Sequence, residues 1–456
     1  MKKVILALLI FFTNLTFGQI PNKISKEEKI YGLSKFWQEV NYNFVYLSKV
    51  DKVEWNRLYL KYIGEAQETK NDYEYYRLLQ KFSAFLKDGH TNAWFPKEIQ
   101  DNVFISDFGN YKIVVDNFEG KAIITKVNWS KRKEIQIGTE ITRVNELTTQ
   151  EHIDKNVLPY ISTSTKHLLE DLSISNMLEG YVGAAFDLEL KAPSGEMRTI
   201  KLVHSKTKEK DLYPATDKEK LLEFKWLTEN IAYVAFNSFS DWDIMDLFDN
   251  KLSEIHKAKR LIIDLRKNSG GEGNIARELF KYLTSDTILY GSKSQSRLHI
   301  PTFKAWGAWT KATDTLKNVW QKQAYLTYHD QYYYNFPYES YSTVNLDISR
   351  IEIPTVILIG HGTASAAEDF LIYTSNQENI IKIGEPTFGS TGQPFSFELP
   401  NGGTGRVCTK KDTYPDGKEF VGYGIQPDIT VKKTLTDYLD AKDPALEKAI
   451  EYLKTK

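Results

Sequence analysis

A serine at the point where a buried strand passes through a tight turn into a helix can act as a nucleophile, because fixed backbone then presents its hydroxyl. Pro354-Thr-Val-Ile-Leu-Ile-Gly360, followed by His361-Gly-Thr-Ala-Ser365-Ala-Ala-Glu368, has that layout. Ser365 falls at the helix start, where the Ala366 amide and the positive end of the helix face any oxyanion that develops. Ser365-Ala-Ala-Glu368 also spells a capping box, in which serine and glutamate satisfy the helix's own amides. A second segment, Arg260-Leu-Ile-Ile-Asp264-Leu-Arg266-Lys-Asn268-Ser-Gly270-Gly271, reads as a buried strand ending in polar residues and a glycine pair. Glycine lets backbone approach a ligand closely. An amide at Gly270 or Gly271 is therefore a candidate second oxyanion donor, with Asp264, Arg266 and Asn268 expected to hold the loop by hydrogen bonds. A plain strand-to-helix turn accounts for the same glycines. Gly271-Glu-Gly273-Asn-Ile-Ala276 matches a dinucleotide fingerprint but lacks the acidic residue about 20 positions later, so no nucleotide cofactor is inferred. The histidines have no metal-ligand spacing, and no metal is inferred.

These segments need a scaffold. From about Leu222 onward, apolar runs at Ile231 to Phe236, Arg260 to Leu265 and Pro354 to Gly360 alternate with helical stretches at Asn274 to Leu283 and Ala366 to Tyr373. That order predicts an α/β layered core. Ser25 to Leu86 reads as two or three amphipathic helices, with Leu33, Phe36, Trp37 and Val40 at helical spacing. Ser25-Lys-Glu-Glu28 fits a capping box, and Asn71 is placed to cap the stretch Asp72 to Leu86. Between about Val103 and Lys206 come short β-rich runs at Tyr111 to Val115, Ala122 to Val127, Thr139 to Val144, Ala185 to Leu190 and Thr199 to Val203. Residues 292–344, crowded with Tyr and Trp, have no clean period and read either as an insertion beside the cleft or as ordinary core packing.

The two chemical segments occur in the order and spacing of the tail-specific (C-terminal-processing) and tricorn-core serine peptidases. Gly384-Glu-Pro-Thr-Phe-Gly389 and Gly424-Ile-Gln-Pro-Asp428 are similar to further motifs of that family, and the resemblance covers essentially the whole mature chain. It implies a crotonase/ClpP-like α/β catalytic core at 211–456, an N-terminal helical region at 19–102 and a PDZ-like β-rich domain at 103–210. The PDZ-like resemblance rests on Ile135 to Asn145, where a glycine turn enters a strand. By resemblance, Ser365 is the nucleophile, and the amides of Ala366 and the Gly270-Gly271 pair form the oxyanion hole. The tail-specific branch carries a general-base lysine after Thr-Phe-Gly, but this chain has Ser390 there. The tricorn-like branch instead uses Ser, His and Glu, and Leu86-Lys-Asp88-Gly-His90-Thr91 resembles its histidine position. His90 is then the expected base, with His361 and Lys411 as rivals. An imidazole of ordinary pKa predicts activity falling as pH drops through about 7 to 6. The third member is expected at Glu419, with Asp416, Ser390 and Lys411 as other candidates.

The N-terminus bears on where this chemistry would operate. Lys2 and Lys3 precede an apolar run from Val4 to Phe12 and a small, polar stretch to Gly18, the layout of a signal peptide at residues 1–18. No cysteine lies near the expected cut, so no lipoprotein anchor is predicted. The one cysteine, Cys408, cannot form an intramolecular disulfide. A formal net charge of -1 over 456 residues does not suggest nucleic acid or an anionic membrane as partner. The expected protein is an exported, soluble serine endopeptidase acting on peptide or unfolded-protein segments, without cofactor. The missing lysine and the aromatic insertion motivate one alternative, a non-catalytic binder of peptides or lipophilic ligands on the same scaffold.

Overall fold

The capping residues start the N-terminal helices where the sequence places them. Helix α1 (Lys26–Asn43) begins with a reciprocal box: the Glu28 amide donates to Ser25 Oγ at 3.2 Å and the Ser25 amide to Glu28 Oε2 at 2.8 Å. Asp51 caps α2 (Lys52–Glu68), and Asn71 caps α3 (Asp72–Ala84) by accepting from the Glu74 amide. The computed structural model describes residues 20–215, 218–338, 340–343 and 349–456, so the expected signal peptide lies outside the described residues. The aromatic stripe of the three helices is core: Phe36, Trp55, Tyr75 and Phe82 are fully buried, and Trp55 stacks on Phe82 at 3.9 Å. Burial of each such side chain contributes about 2 kcal/mol. After α3 the chain reverses through Lys87, at φ 51°, and enters β1 (Asn92–Trp94), so His90 sits in a turn between helix and strand.

The β-rich middle contains β2 (Tyr111–Phe118), β3 (Lys121–Asn128), β4 (Glu140–Val144), β5 (Ala185–Lys191) and β6 (Met197–Val203), paired antiparallel in the order β6-β5-β4-β3-β2. Helices α4 (Thr149–Asn156) and α5 (Lys166–Ser175) supply Ile153 and Ile174 to its own core with Ile124, Val144 and Leu188.

The third part is the α/β layer. In chain order it contains β7 (Leu222–Thr228), β8 (Ile231–Phe236), α6 (Asp243–Ile255), β9 (Arg260–Asp264) and α7 (Gly273–Phe280). An insertion follows, with β10 (Lys293–Arg297) and a helical hairpin of α8 (Pro301–Gly307) and α9 (Val319–Tyr328). The layer resumes with β11 (Thr355–Ile359), α10 (Ala366–Ile372) and β12 (Ile380–Gly384). Strands β13 (Pro394–Leu399), β14 (Gly403–Cys408), β15 (Lys410–Thr413) and β16 (Ile429–Thr430) precede the last helix, α11 (Pro444–Lys454).

The main sheet runs β7-β8-β9-β11-β12-β16, parallel apart from the β7/β8 pair. Every residue of β8 and β11 is buried, as expected of strands covered on both faces. Their side chains alternate. Ala232, Val234, Ile357 and Ile359 join Phe280 and Phe370 on one face, while Ile231, Tyr233, Val356 and Leu358 meet Ala449 and Leu453 of α11 on the other. The first cluster also contains Phe36, Trp55 and Phe82, so the N-terminal helices and the α/β layer share one core. A smaller sheet, β1-β14-β13, joins the His90 segment to the C-terminal third through the pairs Asn92↔Arg406 and Ala93↔Gly405.

Candidate active site

The strand β9 and the strand β11 pair in parallel, with Asp264 opposite Leu358, so the loops that leave their C-terminal ends lie side by side. Hydrogen bonds stitch them together. The Ala364 amide donates to the Asn268 carbonyl at 3.0 Å, and Thr363 Oγ1 donates to the Leu265 carbonyl at 2.9 Å. Asn268 is completely buried, donating to the Phe236 carbonyl and accepting from the Gly270 amide at 2.9 Å. Asp264 accepts from Arg266 and from the Tyr233 hydroxyl, and Arg266 also reaches Asp443, the N-cap of α11, through two bonds of 2.8 Å. The loop-holding roles expected of Asp264, Arg266 and Asn268 correspond to these bonds.

Ser365 sits at the turn into α10 with φ 54° and ψ -120°. A residue with a Cβ occupies that region at a cost of about 1–3 kcal/mol, which persists where surrounding structure dictates it. Gly270 presses on it from the neighbouring loop: a Cβ there would stand 2.7 Å from Ser365 Cβ and 2.8 Å from the Ala364 carbonyl oxygen. Gly271 is equally confined, because its φ is 135° and a Cβ would lie 2.3 Å from the Phe239 carbonyl carbon. Among the described residues, neither the Gly271 amide nor the Ala366 amide has a hydrogen-bond acceptor. The Gly270 amide is committed to Asn268, which corrects its expected donor role; what Gly270 contributes is the missing side chain. The acceptor-free Gly271 and Ala366 amides flank the close contact: Ala366 follows Ser365, and Gly271 follows Gly270.

Glu368 departs from simple capping. The Ser365 amide does donate to Glu368 Oε2 at 3.1 Å, but Oε2 also accepts from the Ser390 amide at 3.3 Å. Glu368 Oε1 accepts from the Gly389 amide at 2.8 Å and from Thr387 Oγ1. The carboxylate is fully buried, and burial pushes its pKa up to about 8 against these four hydrogen bonds, which favour the charged form. It thereby ties the Ser365 turn to the loop after β12, which is tied in turn to Gly424-Ile425 by the Ile425 amide donating to Thr387 Oγ1 at 2.7 Å.

His90 reaches the same loop. Its Nδ1 is joined to Ser390 Oγ at 2.6 Å, while Nε2 and the Ser365 hydroxyl make no hydrogen bond among the described residues. Gly89 admits this approach, since a Cβ there would stand 2.8 Å from the Phe388 ring and 3.2 Å from Ser390 Oγ. Arg406 donates to the His90 carbonyl at 3.1 Å, and the buried Asp88 fixes the turn by accepting from Thr91 Oγ1 at 2.6 Å. Burial, and then the Arg406 guanidinium, hold the His90 imidazole at about 4, well below its ordinary value. His90, Ser390, Glu368 and Ser365 thus form a connected series rather than a directly bonded pair.

The other candidates lie elsewhere. Glu419, expected to orient the base, is paired with Lys49 at 2.7 Å and with Lys411, and has no bond to His90. Its segment folds back as a hairpin whose turn Asp416 caps by accepting from the Lys418 amide, and this turn carries it to the lysines. Lys411, one rival base, is occupied by that ion pair. His361, the other, directs Nδ1 at Asp171 of α5 and stacks on His167 at 4.4 Å. Burial opposes its charge, but the Asp171 hydrogen bond and charge, with Glu385, outweigh burial and raise its pKa. Sequence reasoning gave Ser390 only a minor place and read Glu368 as a cap; the spacing Thr-x-Ser-x-x-Glu was the available signal for the latter.

A cavity of about 490 Å³ opens beside the His90 turn, lined by Phe44, Tyr46, Phe85, Leu86, Asp88 and Val421. Another, of about 570 Å³, separates the N-terminal helices from the β-rich middle and is lined by residues including Arg77, Trp94, His152, Tyr160 and Phe186. Among the described residues no group of three or more His, Cys, Asp and Glu side chains is placed to hold a metal ion, and no helix is long and apolar enough to cross a membrane.

The loops after β9 and β11, with the two loops that Glu368 and Thr387 gather, all fall within residues 230–431, which match peptidase family S41. Residues 230–431 form a family S41 domain. The chain is 24% identical over 265 residues to a carboxyl-terminal-processing protease of Picosynechococcus sp., an alignment covering 57% of this chain and 52% of that protein. It is 29% identical over 221 residues to the carboxy-terminal processing protease CtpA of Bacillus subtilis, covering 48% and 38% respectively. The alignments thus span about half or less of these relatives' lengths. Among solved structures, mature CPAF superposes with a TM-score of 0.67 at 15% identity, covering 94% of this chain and 96% of that one. A peptidase from Parabacteroides merdae, described as putative, gives 0.53 at 18% identity, with 94% and 96% coverage. These likenesses establish a mixed α/β fold shared over nearly the full chain.

Proposed function

We propose that this protein is an exported serine endopeptidase whose nucleophile is Ser365 and whose general base is His90. The observation that carries the reading is the strained Ser365 backbone at the start of α10, against which Gly270 packs so closely that no side chain fits, with the Gly271 and Ala366 amides left without acceptors among the described residues. With the His90 Nδ1 hydrogen donated to Ser390 Oγ, Nε2 keeps its lone pair and takes the proton as Ser365 Oγ bonds to the scissile carbonyl carbon. The Gly271 and Ala366 amides receive the oxyanion, each donor worth about 100-fold in rate. The imidazolium returns its proton to the leaving amine as the C–N bond breaks, and water then hydrolyses the acyl-enzyme by the reverse proton path. Ser390 takes the orienting role first assigned to Glu419.

Substrates in this reading are unfolded or C-terminal peptide segments, consistent with the names of the aligned proteases. The residue 103–210 unit is a PDZ-like domain, and the apolar cavity beside His90 accepts a substrate side chain. A serine-directed phosphonate should label the mature protein and fail to label Ser365→Ala; labelling that survives the substitution overturns the nucleophile. The non-catalytic alternative rests on the absent lysine at position 390 together with the aromatic-rich insertion, and single-turnover cleavage of a peptide library that is lost in Ser365→Ala excludes it.

A further inference from the structure

The insertion carries a surface that catalysis does not use. In the α8/α9 hairpin the interior is filled by small residues: Gly307 lies so close to α9 that a Cβ would stand 2.1 Å from the Ala324 carbonyl oxygen and 2.6 Å from Tyr328 Cβ. The large apolar side chains are left outside. Trp309 is 87% exposed and Leu316 90% exposed, and Trp306, Val319 and Trp320 are exposed beside them. Trp320 meets Trp306 edge-on at 5.4 Å and Phe303 at 5.9 Å, so these rings form one continuous face. The hairpin is firmly mounted at its base, where Arg297 and Asp330, both almost fully buried, pair at 2.7 Å and Lys52 of α2 joins Asp330. An exposed apolar face of this extent on a fixed support marks an interaction surface.

Its charge says what it meets. Residues 301–328 contain four lysines and one acid, Asp314, giving a net charge of +3 within a chain of net charge -1. Asp314 is neutralised by Lys317 at 2.7 Å, whereas Lys304, Lys311 and Lys322 are exposed and make no ion pair among the described residues. A two-fold interface would set this positive patch against itself, which disfavours a second copy of the chain. Exposed indoles and unpaired lysines on one hairpin are instead the side-chain set that settles at the boundary between lipid headgroups and acyl chains, with the ammonium groups on anionic phosphates.

We propose that the α8/α9 hairpin docks this protein peripherally on an anionic phospholipid surface. The test is co-sedimentation of the mature full chain with vesicles of phosphatidylcholine alone and of phosphatidylcholine mixed with phosphatidylglycerol. Partitioning should be at least about tenfold stronger on the mixed vesicles, with a blue-shifted tryptophan emission, and should weaken in high salt. Trp309→Glu with Leu316→Glu should lower it at least about tenfold, and Lys304→Glu with Lys311→Glu should lower it and remove its salt dependence. Circular dichroism should be unchanged in both variants, since the substituted side chains are exposed. No partitioning onto mixed vesicles, equal partitioning onto both kinds, or insensitivity to Trp309→Glu/Leu316→Glu overturns the proposal. So does self-association in sedimentation equilibrium that the same variant abolishes, which would make the face a contact between copies.

Discussion

The His90 environment changes the pH behaviour expected from an ordinary imidazole. With its folded-state pKa near 4, His90 stays neutral, and able to accept a proton, well into the acid range. Under the proposed mechanism, kcat/KM should be flat from about pH 7.5 to about pH 5 and fall only toward about pH 4, where an unperturbed histidine would already have failed near pH 6. The charged groups that face it are Arg406 and Lys410, which oppose protonation, and Asp412, which favours it. The same depression links to stability: the contribution is fully present above about pH 6.5 and is lost as pH falls toward about 4. His90→Ala should lower kcat by about 100-fold or more with the fold retained. Ser390→Ala should lower kcat about tenfold with KM little changed, the scale of one lost orienting hydrogen bond, and Ser390→Thr should recover part of the loss. Rates within twofold of the parent in Ser390→Ala would leave the base without the proposed orienting partner.

Between elements, the site depends on a buried carboxylate that no single segment explains. Glu368 belongs to α10, but its acceptor oxygens gather the Ser365 turn and the Thr387-to-Ser390 loop. In Glu368→Gln the amide nitrogen must replace one oxygen and face at least one of the Ser365, Gly389 or Ser390 amides, whichever way it is flipped. Each buried donor left without an acceptor costs about 1–3 kcal/mol. The substitution should therefore lower the denaturation midpoint clearly and weaken phosphonate labelling of Ser365 along with it. An unchanged midpoint would mean that the two loops are held by packing alone. Loop order also explains the glycine pair: Gly270 and Gly271 occupy φ values of 101° and 135° while meeting Ser365 and Phe239 at distances no side chain allows.

Across the whole molecule, an ion pair joins the β-rich middle to the α/β layer. His361, four residues before Ser365, bonds Asp171 of α5, and His167 of the same helix stacks on His361 and reaches the Thr387 carbonyl at 2.8 Å. Glu385 and Lys432 are the other charges facing His361. Because the folded-state pKa of His361 is raised, its stabilising charge is fully present below about pH 6.5 and disappears as pH rises through the raised value. Hydrogen-exchange protection of α5 should accordingly be greater near pH 6 than near pH 8, and Asp171→Asn should flatten that dependence. Equal protection at both pH values in the parent protein would show that apolar packing alone holds the two parts together.

Some of this was legible in the amino-acid order because its causes are local. Caps act over three residues, so Ser25 and Asn71 announced their helices; strands buried on both faces are continuous apolar runs, so Ile231 to Phe236 and Pro354 to Gly360 were readable with near-correct ends. The strand-turn-helix around Ser365 and the glycine pair after β9 were readable for the same reason. Tertiary structure alone decided the rest. The bond from His90 to Ser390 spans 300 positions, and no pattern within either segment encodes it. Glu419 had a plausible position in sequence, but a hairpin turned it toward Lys49 and Lys411. The low pKa of His90 and the high pKa of Glu368 come from burial, which is a property of what packs around a residue and not of the residue itself. The local excess of lysine over residues 301–328 could be counted in the sequence, but that Trp309 and Leu316 lie exposed there was decided by the packing of Gly307 against α9.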